Sequence, residues 1–112
     1  MTAMALNEDY KNFILDQLAG FGEFEIKNQF GGTALMSKGV AFAKIKHDKL
    51  WMKVDKSNID DFVKYNRPQY TYGKDNSRKL HFYEAPVEII EDKDQLVIWA
   101  KKSLQAAINT IK

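Results

Sequence analysis

The sequence predicts an α+β fold in which an antiparallel sheet of about five strands is flanked by an N-terminal and a C-terminal helix. Two-residue loops at Lys38-Gly39 and His47-Asp48 separate three alternating runs. Strands joined by loops this short can pair only in the antiparallel direction. Helical spacing of apolar residues marks both ends of the chain. With a short helix and two strands between, the expected order is α-β(3-4)-α-β(2)-α.

The composition is that of one small globular domain, which we assign to residues 1–112. The 17 basic and 15 acidic residues leave a net charge of +2, so no overall field points to nucleic acid or to an anionic membrane. The absence of cysteine excludes disulfides, thiolate nucleophiles and cysteine-ligated metal centres. Because the sequence has no targeting signal and no long apolar run, we expect a cytoplasmic protein without a membrane span.

The first element is predicted to be an amphipathic helix with Asn7 as its N-cap and Gly20 just after its end. Its apolar stripe consists of Leu6, Tyr10, Phe13, Ile14 and Leu18. Residues 23–30 then alternate between apolar and polar side chains, which predicts a strand with one half-buried face. That face carries Phe24, Ile26, Asn28 and Phe30.

The central segment, residues 30–54, predicts three strands and contains the strongest local signals in the chain. Gly39 is expected to supply positive φ in the first of its two tight turns. Alternation in the third strand puts Leu50, Met52 and Val54 on one face. Alternation in the second strand separates Ala41, Ala43 and Ile45 from Val40, Phe42, Lys44 and Lys46.

Residues 57–60 resemble a capping box that starts at Ser57 and opens a short helix, which ends before Pro68. Residues 69–72 and 78–84 predict a hairpin around a polar loop. Residues 87–91 fit either a short strand or a turn.

Asp92 is the clearest N-cap, with Gln95 at the matching position, and it predicts a final helix of about eighteen residues. The core stripe of that helix is Leu96, Trp99, Ala100, Ser103, Ala107 and Ile111. Four more apolar residues widen the stripe, and they are Val97, Ile98, Leu104 and Ile108. This excess predicts a covering surface such as a second copy of the chain.

Several strings through most of the chain resemble the N-terminal domain of the TfoX (Sxy) family in order and spacing. They are Lys27-Asn28-Gln29-Phe30-Gly31-Gly32, Phe42-Ala43, Leu50-Trp51-Met52-Lys53-Val54-Asp55, Tyr83-Glu84-Ala85-Pro86 and Leu96 with Trp99-Ala100. The departures are Gln29 where the family usually has Met, Trp51 where it has Tyr, Phe82 for the first Tyr of Tyr-Tyr, and Pro68-Gln69-Tyr70 in place of the common Pro-Phe-x-Tyr.

The resemblance implies a two-layer α+β unit with an antiparallel sheet. Fuller members of this family regulate natural competence, act with a transcription activator and catalyse no reaction. They also carry a second, helical C-terminal domain, and we expect this chain to be a stand-alone form without it.

No pattern of catalytic or metal-binding residues is visible in the sequence. His47 falls in a turn and His81 in a strand, and neither has the ligand spacing of a metal site. None of the serines lies in a G-x-S-x-G string. We therefore expect no enzymatic activity and no cofactor.

Two groups of residues are candidates for an interaction surface. Gly31 and Gly32 follow Phe30 in the string most typical of the family, where they indicate either tight packing or contact with a partner. A lysine group surrounds one hairpin and includes a tryptophan, and its members are Lys44, Lys46, Lys49, Trp51 and Lys53. Such a group fits either a nucleic-acid surface or a solvated strand face with lysines that protect an edge.

The leading interpretation is a regulatory domain that works by protein contact, through an unidentified partner such as a transcription activator and as a homodimer through the last helix or a sheet edge. One alternative is a nucleic-acid-binding module that uses the hairpin from Lys44 to Lys53. The other is a small-ligand or enzymatic domain with a groove between sheet and helix.

Overall fold

A computed structural model describes residues 8–29 and 32–111 of the chain. Its helices are α1 (Glu8–Gln17), α2 (Ile59–Val63), α3 (Val87–Ile90) and α4 (Lys93–Thr110). Its strands are β1 (Glu25–Gln29), β2 (Gly32–Ser37), β3 (Val40–Lys46), β4 (Lys49–Lys53), β5 (Gln69–Tyr72) and β6 (Arg78–Glu84). Short 3₁₀ turns cover Ala19–Phe21 and Lys74–Asn76.

The six strands form one antiparallel sheet in the order β1-β2-β3-β4-β6-β5. The predicted α+β class is therefore confirmed, with six strands where about five were expected. Strands β1 and β5 are the two edges of the sheet. None of the helices among the described residues is long and apolar enough to cross a membrane.

Both predicted hairpin turns are present, and each has both of its residues in the left-handed region. Lys38 and Gly39 have φ values of 53° and 81°, and His47 and Asp48 have φ values of 58° and 56°. This is the turn type whose twist matches that of the flanking strands. The prediction of positive φ at Gly39 is confirmed.

Replacing Gly39 with valine should lower the free energy of unfolding by about 1 kcal/mol or more, because a β-branched side chain is disfavoured at positive φ. A Cβ atom at this position would meet nothing within 4 Å, so the cost comes from the backbone conformation alone. Gly39→Asn is the matched control, since asparagine tolerates this region and should retain more of the stability. Equal melting temperatures for the two variants and the parent would contradict the assignment.

The two faces of the sheet have different surroundings. The inner face packs against α1 and α4 and forms the main core. Its principal members are Leu35, Ala43, Ile45, Leu50 and Met52 from the sheet, with Ile14, Leu96, Trp99 and Ala100 from the helices. The outer face carries a second, smaller cluster built from Trp51, Tyr70 and Phe82.

A bulge in the pairing of β2 with β3 changes which side chains face the core. Leu35 pairs with Ala43 but Met36 pairs with Ala41, so Phe42 is an extra residue between two pairs. Phe42 and Ala43 are consequently both buried in the main core, while Ala41 packs against the outer cluster. The prediction that Phe42 shares a face with Lys44 is wrong, because strict alternation stops at the bulge.

Helix α1 follows its predicted stripe only in part. Ile14 and Leu18 are buried, whereas Phe13 is 42% exposed. The buried position on this side belongs to Gln17, whose Nε2 donates a hydrogen bond of 2.9 Å to the Ile90 carbonyl oxygen. The expected Asn7 cap and Leu6 lie outside the described residues.

The predicted capping box before α2 is wrong. Asn58, not Ser57, is the N-cap residue of α2, and it makes no side-chain capping bond. Its side chain instead accepts from the Asp55 amide at 2.8 Å and donates to the Lys53 carbonyl oxygen at 3.0 Å. Asn58 thereby holds the loop to the end of β4 instead of stabilising the first turn of α2.

Two helices, α3 and α4, follow Pro86. Residues 87–91, expected to be a strand or a turn, contain the short helix α3. The Asp92 cap is confirmed, because its Oδ1 accepts from the Gln95 amide at 3.1 Å. The predicted stripe of α4 is buried up to Ala107, but Ile111 lies after the helix and is exposed.

Candidate functional site

The predicted lysine group does share one surface. Lys44 pairs with Trp51 across the β3–β4 hairpin, and Lys46 pairs with Lys49 at its closed end. Lys53 lies two residues beyond Trp51 on β4 and pairs with Phe82 of β6. Because side chains alternate along a strand, all of these residues lie on the outer face of the sheet.

The tryptophan of this group is not available as a stacking surface. Trp51, Tyr70 and Phe82 are 8%, 6% and 8% exposed. The indole Nε1 of Trp51 donates to the Lys46 carbonyl oxygen at 3.3 Å, and the indole meets the Tyr70 ring edge to face at 4.9 Å. The three rings therefore form a small core of their own, already packed in this structure.

Two of the lysines cover these rings. The Lys44 ammonium lies 5.1 Å from the centroid of Tyr70 and 5.7 Å from that of Phe82, and the Lys53 ammonium lies 5.3 Å from the centroid of Phe82. These are cation–π distances. Burial, and then the nearby charge of Lys46, lower the pKa of Lys44 below its ordinary value. The main structural role of Lys44 and Lys53 is therefore to pack over the aromatic cluster.

A third lysine is paired with an acidic residue. The Lys49 ammonium lies 3.7 Å from one carboxylate oxygen of Glu84, and Arg67 lies 3.7 Å from the other. Within residues 8–29 and 32–111, Lys49 is the member of the lysine group that forms an ion pair. The positive charge on the outer face is therefore partly neutralised.

Two of the three residues in the Phe-Gly-Gly string, Phe30 and Gly31, lie outside the described residues. Gly32 begins β2 and is buried, and a Cβ atom there would lie 3.0 Å from the Ile45 carbonyl oxygen. That distance is shorter than ordinary van der Waals contact, so β3 can approach this closely only because residue 32 has no side chain. For Gly32, the structure favours the tight-packing interpretation.

A surface whose residues the sequence interpretation did not name as interaction candidates lies at the β1 edge. On the apolar face predicted for this strand, Phe24 packs partly against the main core, whereas Ile26 is 46% exposed. A groove of about 610 Å³ opens beside Ile26 where α1 meets the start of β1. Its apolar lining is Leu15, Phe24, Ile26 and Met36, and the other lining residues are Gly22, Glu23, Glu25, Ser37 and Lys38.

Outside the lysine group, the titratable side chains considered for chemistry are Tyr10 and the two histidines. Burial, with contributions from Glu84 and Asp48, raises the pKa of Tyr10 to about 12, which keeps its phenol neutral. His47 and His81 are both exposed. Among the described residues, no three His, Asp or Glu side chains are grouped so that they could hold a metal ion.

Comparison with known proteins identifies the family. The model of the TfoX N-terminal domain matches residues 16–107 of the 112-residue chain. The chain belongs to the TfoX N-terminal domain family. A search of curated proteins found no match.

Membership in the TfoX N-terminal domain family associates the chain with competence at the level of the family. The match covers β1 to β6 and nearly all of α4. Both the outer face and the β1 edge of this TfoX N-terminal domain therefore lie inside the matched region.

Proposed function

We propose that this TfoX N-terminal domain is a non-catalytic regulatory domain that acts through protein contact, with a transcription activator as the partner class. The observation that supports this proposal is the β1 edge. In the described part of the chain β1 pairs only with β2, and Glu25 and Ile26 at its start line the apolar groove. Proteins commonly bind an extended strand of a partner at an open strand edge that lies beside an apolar groove.

The second candidate, a nucleic-acid-binding outer face, has one observation in its favour. Lys44, Lys46, Lys49 and Lys53 share a face with three aromatic rings, and basic sheets with aromatic residues bind single strands. The rings are enclosed, however, and the lysines that cover them would have to move before a base could stack. Protein contact requires no such rearrangement, so we favour it.

The triple variant Lys44→Gln, Lys46→Gln and Lys49→Gln should leave interaction with DNA unchanged, because we expect no tight binding by the parent protein. The measurement is fluorescence anisotropy of a labelled duplex and of its single strand, at about 50 mM and about 200 mM salt. Several phosphate contacts would lose orders of magnitude in affinity between these conditions.

A matched control is the variant with Lys38, Lys93 and Lys101 replaced by glutamine, which removes the same charge from other exposed positions. Circular dichroism checks that both triple variants are folded. Tight, salt-sensitive binding that the Lys44 triple variant loses and the control retains would promote the nucleic-acid function over protein contact.

The direct test of the proposed function is purification of the tagged protein from its own cells, with and without nuclease. We expect a transcription activator to be recovered in both samples and to bind again when both proteins are purified. Recovery that depends on intact nucleic acid would support the alternative. Recovery of no regulatory protein in either sample would overturn the proposal.

A further inference from the structure

The residues of β1 are arranged so that the strand is complementary to itself. Ile26 pairs with Leu35 of the main core, so Ile26 lies on the inner face of the sheet. Glu25 and Lys27, its two neighbours, lie on the outer face because side chains alternate. The strand thus presents one exposed apolar side chain between two opposite charges.

Two copies of an edge strand can pair antiparallel about a two-fold axis perpendicular to the sheet. This symmetry keeps the helices of both copies on the same side of a continuous sheet. A residue at the axis then lies opposite itself, and its neighbours lie opposite one another. Registers that put the axis between two residues oppose inner-face to outer-face side chains and do not fit the pleat.

Of the registers centred on the first three residues of β1, only one pairs opposite charges within the strand without also pairing like charges. An axis at Glu25 brings two carboxylates together, and an axis at Lys27 brings two ammonium groups together. An axis at Ile26 instead places Glu25 of each copy opposite Lys27 of the other, and Ile26 against its own counterpart. Opposite charges facing each other across strands stabilise the pair, whereas like charges destabilise it.

We propose that β1 is a homodimer interface, in which β1 of a second copy of this chain pairs antiparallel with it in the register centred on Ile26. This inference rests on the proposed function, because it assigns the β1 edge to a protein partner, here a second copy of the chain, and a transcription activator would then compete with that copy for the edge. In this register the exposed Ile26 side chain packs against its own counterpart across the axis and loses contact with water, and Phe24 lies opposite Asn28 of the partner copy.

The other edge of the sheet does not offer this arrangement. Strand β5 has four residues and an irregular register between Gln69 and Thr71. It also contains no charged residue. Short, interrupted edge strands resist pairing with another chain. The inference is therefore specific to β1.

Sedimentation equilibrium of the purified full chain, from about 5 µM to about 1 mM, tests the proposal. A five-residue edge is a small interface, so we expect a dissociation constant on the order of 10–100 µM. Glu25→Lys and Lys27→Glu should each weaken self-association by at least about tenfold, because each creates two pairs of like charges.

The decisive measurement is the recovery of association. An equimolar mixture of Glu25→Lys with Lys27→Glu should form a heterodimer, because every pair across the axis is again of opposite charge. The double variant Glu25→Lys/Lys27→Glu should dimerise with itself for the same reason. Ile26→Lys should remain monomeric, whereas Val87→Lys, which changes an exposed apolar residue elsewhere, should dimerise like the parent.

Three results would overturn the proposal. The first is a parent protein that stays monomeric over the whole concentration range, and the second is single charge variants that associate like the parent. The third is single variants that lose self-association, with no recovery of it in either the mixture or the double variant. Failure here is distinct from failure of the proposed function, because a monomeric domain that still binds a purified transcription activator would retain that function.

Discussion

Replacing Trp99 with alanine is expected to lower the free energy of unfolding by about 3–5 kcal/mol, the usual cost of removing a large buried aromatic side chain. Trp99 is 8% exposed and lies in the main core. Its ring meets Phe62 at 4.8 Å and Tyr65 at 5.8 Å, both close to edge-to-face. The substitution therefore removes the ring contacts of α4 with Phe62 in α2 and with Tyr65 just after it, in addition to buried apolar area.

Urea unfolding followed by far-UV circular dichroism measures this effect, and the fluorescence of Trp51 gives an independent signal in the variant. The neighbouring residue supplies the control, because Ile98 is more than half exposed and Ile98→Ala should change stability by no more than about 0.5 kcal/mol. A Trp99→Ala variant that loses less than about 1 kcal/mol would contradict this role in the core.

Phe42→Ala should have a cost of similar size, about 3–5 kcal/mol, because Phe42 is completely buried. Its ring stacks on Phe21 at 4.6 Å and meets the edge of Phe24 at 6.0 Å. These two partners lie between α1 and β1, so Phe42 anchors the start of the edge strand. Loss of the ring should loosen β1 more than the distant strands.

Chemical denaturation gives the overall change, and amide hydrogen exchange locates it. Phe13→Ala is the matched control, since it makes the same substitution at an exposed phenylalanine and should change stability by about 0.5 kcal/mol or less. Equal costs for the two variants, or faster exchange in β6 than in β1 of Phe42→Ala, would contradict the predicted anchoring.

The outer face of the sheet and its β1 edge differ in how much surface they offer to a partner. On the outer face, Trp51, Tyr70 and Phe82 pack on one another, and Lys44 and Lys53 lie over these rings. At the β1 edge, Ile26 is exposed between Glu25 and Lys27. Covering a surface that is already packed adds little binding free energy, whereas burying exposed apolar surface against a partner is favourable.

The additional apolar residues of α4 differ in how far the main core covers them. Val97 and Leu104 pack partly against the main core, so they need no second chain to cover them. Ile98 remains exposed. Dimerisation through the last helix therefore stays a prediction, and α4 exposes less apolar surface than the sequence indicated. The β1 edge offers the better-defined complementarity.

Local sequence determined the elements whose signals are local. The turns at Lys38-Gly39 and His47-Asp48 depend on a few residues with suitable backbone preferences, and both formed as predicted. The Asp92 cap of α4 depends on one side chain and an amide three residues away. Antiparallel pairing of β2, β3 and β4 follows from the short loops, so the sequence was enough to predict the fold class.

Only the tertiary structure decided which apolar side chains are buried and which strand is an edge. Periodicity shows that Ile26 and Phe24 share a face, but not that no further strand lies beside β1 among the described residues. The bulge at Phe42 and the enclosure of Trp51 likewise depend on partners far along the chain, such as Phe21 and Tyr70. Burial arises from contacts between distant segments, and the strand order creates those contacts. A local sequence pattern does not specify that order.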